Sequence, residues 1–147
     1  MIGLLQRVTH ADVHVGGELV GKIDQGLMVL VAVHREDAPK DIARLAERLL
    51  GYRVFPDDEG RMNRSVRDIR GGLLLVPQFT LTADTKKGTR ASFTKAAAPE
   101  KASDYFDRLV AACRRELDTV EAGAFGADMQ VSLTNDGPVT FWLDTQK

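Results

Sequence analysis

The chain has 147 residues, 44% hydrophobic and 28% charged, with 20 Lys and Arg against 21 Asp and Glu for a formal net charge of -1. That length suits a single domain over residues 1–147 with a sizeable core. The near-neutral balance excludes a polycation, so any nucleic-acid contact has to come from a local basic patch. Residues 1–7 lack a basic leader and a long apolar core, so no signal peptide is expected, and no apolar run approaches the roughly 20 residues that span a bilayer. The single cysteine, Cys113, forbids an internal disulfide and suits a reducing cytosol.

In chain order, the first third reads as strands. Residues 4–8 and the alternating residues 11–15 are followed by Gly16-Gly17 as a turn, residues 18–23 continue the meander, and residues 27–33 form an apolar run fit for a strand buried on both faces. The period then changes. Asp37 is placed as an N-cap with Pro39 in the first turn, and Ile42, Leu45, Ala46, Leu49 and Leu50 make one helical stripe ending at Gly51. Residues 57–60 (Asp-Asp-Glu-Gly) are a turn. Residues 73–81 predict a strand interrupted near its end by Pro77, which cannot donate to a ladder.

Residues 85–95 form a polar loop with Lys86, Lys87, Arg90 and Lys95 and no acid. Pro99 opens a second helix with Ala102, Tyr105, Phe106, Leu109 and Cys113 on one face. Residues 119–122 are strand-like, and residues 129–133 and 139–143 predict two strands flanking Gly137-Pro138. The expected fold is α+β, mostly antiparallel sheet in a barrel-like core with two covering helices.

Side chains suited to catalysis are sparse. His10, His14 and His34 all fall in the N-terminal third, where strand geometry separates them, so solvated or packed histidines are favoured over a metal site and no cofactor is expected. Cys113 lies on an apolar helix face, as a structural thiol does. No Gly-x-Ser-x-Gly elbow and no phosphate loop is present, so an enzyme built on this chain has to work by positioning and backbone electrostatics. In an alternating strand Gln78 and Thr80 share a face, either as an ordinary polar face or as the floor of a pocket. Thr80 as a nucleophile needs a base beside it, and the sequence supplies none. The basic loop is either solvated surface or a holder of phosphates. Gly137-Pro138 is either a plain turn or a rigid backbone tool.

Four stretches bear on these alternatives: residues 78–81 (Gln-Phe-Thr-Leu), Lys87-Gly88 through Ser92-Phe93, residues 125–131 and residues 135–140 (Asn-Asp-Gly-Pro-Val-Thr). Together with Gln6-Arg7-Val8 and the segment from Arg53 to Asn63, they resemble the signatures of the D-aminoacyl-tRNA deacylases, in the same order and over essentially the whole chain. The resemblance implies a cytoplasmic homodimer that hydrolyses the ester between a D-amino acid and the 3′-terminal adenosine of tRNA and also removes glycine mischarged on tRNA for alanine, with neither a DNA nor a membrane partner. It implies that Gly137-Pro138 is a cis step inserted into the partner's pocket, where its carbonyls hold the substrate's α-ammonium and leave no space for an L side chain. It places backbone N–H groups around Gln78 and Phe79, with Thr80, at the reacting ester, and assigns water activation in part to the adenosine 2′-hydroxyl. Arg7 is expected to brace the Gly-Pro loop, Met129 to line the pocket, and Pro77, Asn135 and Val139 to complete the substrate site. Lys86, Lys87 and Arg90 are the phosphate-binding candidates. Two departures from the family pattern stand out. Pro77 replaces the usual Ser, which removes a hydroxyl and an N–H, and Ala91 replaces a usual Pro, which loosens the basic loop.

Overall fold

The computed structural model describes residues 1 to 146. One long strand organises it. Strand β1 (Ile2–Val15) pairs antiparallel with β3 (Gly26–Ala32) through its first half and with β2 (Glu18–Ile23) through its second half. The turn into β2 is made by Gly16 and Gly17, both at positive φ, 56° and 83°. On the other edge β1 carries β8 (Gln130–Asp144) along almost its whole length.

Beyond β3 the sheet continues with β6 (Gly72–Pro77) and β7 (Val120–Ala122), both parallel to their neighbours. The sheet is therefore mixed, with its antiparallel pairs concentrated on β1. It curls until β2 meets β7. A Cβ on Gly21 would lie 3.3 Å from the Ala122 carbonyl oxygen and 3.3 Å from Leu74 Cδ1, so glycine permits that closure. The result is the expected barrel-like α+β fold. A small hairpin, β4 (Phe55–Pro56) with β5 (Met62–Arg64), surrounds the predicted turn at residues 57–60.

Helices α1 (Pro39–Gly51) and α2 (Pro99–Arg114) cover one face. Their buried stripes are the predicted ones, with Asp41 added in α1 and Val110 in α2. Leu45, Leu49, Phe106, Leu109 and Cys113 pack on Leu5, Val29, Leu73 and Leu75 as the main core. Inside the curl Val8, Ala11, Val13, Met28, Leu74 and Val76 form a second cluster. Burial pushes the Cys113 thiol up to about 12, as expected of a structural cysteine.

Three local expectations are corrected. Asp37 is not the cap of α1. The cap position is Ala38, whose N–H is bonded by the Asp41 carboxylate at 2.8 Å. Asp37 turns inward, accepting from the Met1 ammonium at 2.7 Å and the His34 N–H at 2.7 Å. The strand expected over residues 73–81 stops at Pro77 and gives way to a 3-10 helix at Phe79–Thr82. The Gln78 N–H makes a last ladder bond to the Val31 carbonyl at 2.7 Å, after which the Thr82 hydroxyl donates to the Phe79 carbonyl at 2.7 Å and holds the tight turn. Finally, the two C-terminal strands are one strand, and Gly137-Pro138 is a bulge within it rather than a turn between two strands.

Candidate active site

The bulge is held by two side chains, Arg7 and Asn135, that the sequence places 128 residues apart. Thr140 pairs with Gln6 and Asn135 with Val8, so residues 136–139 stand outside the register opposite Arg7 alone. Arg7 fills that gap. Its Nε donates to the Asp136 carbonyl at 2.9 Å and its Nη1 to the Val54 carbonyl at 2.6 Å, with the Asp136 carboxylate 3.5 Å away. The Asn135 amide closes the loop from the other side. Its Nδ2 donates to the Arg7 and Val139 carbonyls, both at 2.9 Å, while its Oδ1 accepts from the Val139 N–H at 3.1 Å.

Within this frame Val139 is buried, Gly137 and Pro138 are exposed, and the peptide between them is cis. A Cβ on Gly137 would run into the Val139 backbone nitrogen and approach Val139 Cγ2 to 2.7 Å, so the bulge admits only glycine there. Arg7 and Asn135 thus hold the bulge.

The second element is a cavity of about 500 Å³ at the end of β6. Val76, Pro77, Gln78 and Phe79 form one wall, Met129 and Val131 another, and Phe125 stands at the side. No lining residue carries an ionisable side chain. Gly123 backs the wall. A Cβ there would lie 2.8 Å from Met129 Sδ and 3.4 Å from Pro77 Cδ, so its bareness sets where Met129 sits. Gly123 and Phe125 were missed as site residues. Phe125 lies in the motif at residues 125–131, but no periodicity marks a loop residue as wall. A slightly larger cleft, about 610 Å³, separates α1 and α2; its rim holds Arg67 paired to Glu116 at 2.8 Å and none of the motif residues.

The strand face that Gln78 and Thr80 were expected to share, whether ordinary surface or pocket floor, is replaced by the 3-10 helix. There Thr80 is exposed and its hydroxyl bonds the Gln78 side-chain amide. The Gln78 N–H, one of the donors expected at the ester, is already committed to Val31. The N–H groups of Phe79 and Thr80, first in the helix, have no intrahelical acceptor. Phe79 reaches out of the cavity, 56% exposed, to meet Phe93 with ring centroids 5.1 Å apart. Phe93 lies in the last part of the basic loop, on which Lys86, Lys87 and Arg90 are all exposed.

The cavity and bulge thus sit apart on one chain. Gln78, Phe79, Pro77 and Met129 gather at the cavity, whereas Arg7, Asn135, Gly137, Pro138 and Val139 gather at the bulge.

A barrel-like mixed sheet under two helices carries these motifs, some around the cavity and some in the bulge. The family profile described as D-Tyr-tRNA(Tyr) deacylase matches residues 4 to 144, and the chain belongs to that family. Among its relatives, proteins named D-aminoacyl-tRNA deacylase from Alkalilimnicola ehrlichii and Herminiimonas arsenicoxydans are 61% and 60% identical over 146 residues, covering 99% of this chain and 97% and 98% of theirs. A solved structure described as the c-Myc DNA unwinding element binding protein superposes with a TM-score of 0.94 at 36% identity, over 99% of both chains. A probable eukaryotic D-amino acid tRNA deacylase shares the fold with a TM-score of 0.82 at 19% identity, over 97% of both chains.

Proposed function

We propose that the protein hydrolyses the ester between a D-amino acid and the 3′-terminal adenosine of tRNA. It acts in the cytoplasm as a homodimer in which each Gly137-Pro138 bulge completes the partner's cavity. One observation carries this reading: the cavity that holds the Gln78-Phe79 backbone has no ionisable side chain in its wall, while the rigid backbone element of the same motif set lies outside it. A wall of this kind catalyses through position and fixed dipoles.

In this scheme the N–H groups of Phe79 and Thr80 face the developing oxyanion, and the adenosine 2′-hydroxyl helps to activate water. The Gly137 and Pro138 carbonyls receive the α-ammonium. Bulge backbone braced by Arg7 and Asn135 and anchored by Val139 fills the space that an L side chain needs. Pro77 and Met129 shape the wall. Glycine has no side chain to exclude, so glycine mischarged on tRNA for alanine is hydrolysed by the same site.

Pairing of two chains is favoured by the face that the helices leave bare. Leu4, Leu30 and Trp142 lie side by side across β3, β1 and β8 on that face, half-buried or exposed, with Trp142 at 50% exposure. The outer edge of β8, 15 residues long, is also open. Lys86, Lys87 and Arg90 beside the cavity meet backbone phosphates, which adds salt-dependent affinity without reading sequence.

The test is a comparison of single-turnover rates on D-Tyr-tRNA, L-Tyr-tRNA and Gly-tRNA. The D-ester and the glycyl ester are hydrolysed and the L-ester persists. Equal D and L rates end the proposal, and a glycyl ester that never turns over ends the steric form of it.

Thr80→Ala separates backbone from side-chain chemistry. Among the described residues the only side-chain partner of the Thr80 hydroxyl is the Gln78 amide, which cannot act as a base. The variant is expected to lose less than the roughly 10²–10⁴-fold of a missing acid–base group. A larger loss in a folded protein, or a covalent adduct at Thr80 by intact mass, restores the nucleophile.

A further inference from the structure

We infer that Phe79 and Phe93 form a stacking platform for the nucleobase that precedes the terminal adenosine of the tRNA. The inference rests on the proposed function and extends that site beyond its cavity. Two large apolar rings, 56% and 41% exposed, lie against each other in the open, tilted by 57°. Phe79 belongs to the cavity wall and its exposed ring meets Phe93, which is not part of that wall, so the pair leads from the cavity mouth outward.

The platform is fixed on both sides. The 3-10 helix holds Phe79 through the Thr82 hydroxyl, which donates to its carbonyl at 2.7 Å. On the Phe93 side, Ser92 and Asp84 exchange backbone bonds of 3.0 and 2.7 Å, the Ala96 N–H bonds the Phe93 carbonyl at 3.1 Å, and Arg35 Nη1 bonds the Thr94 carbonyl at 3.2 Å. Between those anchors Lys86, Lys87 and Arg90 project into solvent with no acid among residues 85–95.

An exposed aromatic pair bordered by cations is the arrangement that binds single-stranded nucleic acid, with bases stacked on rings and phosphates on the charges. Continuity with the cavity selects the occupant. A strand whose last nucleoside lies in the cavity has its next base at the mouth, where the rings are.

The experiment compares D-Tyr-tRNA with D-tyrosyl-adenosine, which lacks every nucleotide before the last. Stacking of one base is worth about 1–3 kcal/mol, so Phe93→Ala is expected to raise KM for D-Tyr-tRNA about 5- to 150-fold and to leave D-tyrosyl-adenosine unchanged. Phe93→Tyr, which keeps a flat ring, retains the wild-type KM; Phe93→Leu, apolar but not flat, behaves as Phe93→Ala does. Equal losses on both substrates, a Leu variant as good as Tyr, or separation of the two copies by Phe93→Ala each overturn the platform. Filter binding of an uncharged tRNA minihelix ending in CCA reads the same contact without turnover. Inert wild-type enzyme that still loses minihelix affinity on Phe93→Ala therefore refutes the activity and leaves the platform standing.

Discussion

Gly137→Ala loses at least about 10²-fold in D-Tyr-tRNA hydrolysis, the scale expected when a reacting group is displaced by about 1 Å, while the protein stays folded. The new methyl group has no room. It meets the Val139 nitrogen, a backbone atom in a frame already fixed by three hydrogen bonds of the Asn135 amide, two donated and one accepted, and one from Arg7 to the Asp136 carbonyl. The bulge must therefore open, moving the Gly137 and Pro138 carbonyls. Gly137 is exposed and lies outside both core clusters, so the effect on stability is that of local overpacking, about 1–3 kcal/mol. Rates on D- and L-Tyr-tRNA, taken beside a urea melt, check both halves. Wild-type D-activity in the variant contradicts the assignment of the bulge to the reaction.

The largest effect on stability is expected at Asp37. Its carboxylate and the Met1 ammonium pair at 2.7 Å with both side chains fully buried. Thr145 Oγ1 accepts from the same ammonium at 2.6 Å, and Gln146 Nε2 donates to the Asp37 carboxylate at 2.6 Å. The Asp37 carbonyl accepts from Lys101 Nζ at 2.6 Å. One residue thus joins the starts of β1 and α1, the first turns of α2 and the chain beyond β8.

Asp37→Ala leaves a buried ammonium without its counter-charge, and removing one partner of such a pair costs about 3–5 kcal/mol. The urea midpoint falls accordingly with the slope unchanged; a loss under about 1 kcal/mol contradicts this account of the pair. Acid should weaken the same corner. Burial pushes Asp41 up, but the Ala38 N–H, the Thr145 hydroxyl and the N-terminal charge outweigh it and hold its carboxyl below the usual range. Its contribution is present above the ordinary carboxylate range and fades as pH falls through the lowered value.

Periodic burial was legible in the sequence. The stripe from Ile42 to Leu50, the Tyr105, Phe106 and Leu109 face and the apolar run of β3 are all found where alternation or helical spacing puts them, because packing against one core imposes those periods. The irregular parts were not. Asp37 has the position and chemistry of a cap, yet its partner is the Met1 ammonium, 36 residues away, which no local rule selects. Gln78 to Leu81 alternates like a strand, but the chain turns after Pro77. The bulge at Gly137 reads locally as a loop between two strands, because no periodicity brings Arg7 opposite it; only the resemblance sets Arg7 there as a brace, and its bond to the Asp136 carbonyl agrees. Of the candidate site, the motif residues were named from resemblance. Their division between a cavity and a separate bulge is a matter of tertiary placement, as is the meeting of Phe79 with Phe93.

The cross-subunit arrangement can be tested by mixing two defective chains. Gly137→Ala spoils the bulge, and Ala127→Trp fills the cavity in whose wall Ala127 stands; on the proposed arrangement each variant alone gives an inactive homodimer. In a mixed dimer purified with two different tags, the intact cavity of the first chain faces the intact bulge of the second. About half of the wild-type rate on D-Tyr-tRNA should then return, one working site out of two. A mixed dimer as inactive as its parents contradicts the proposal that each bulge serves its neighbour's cavity.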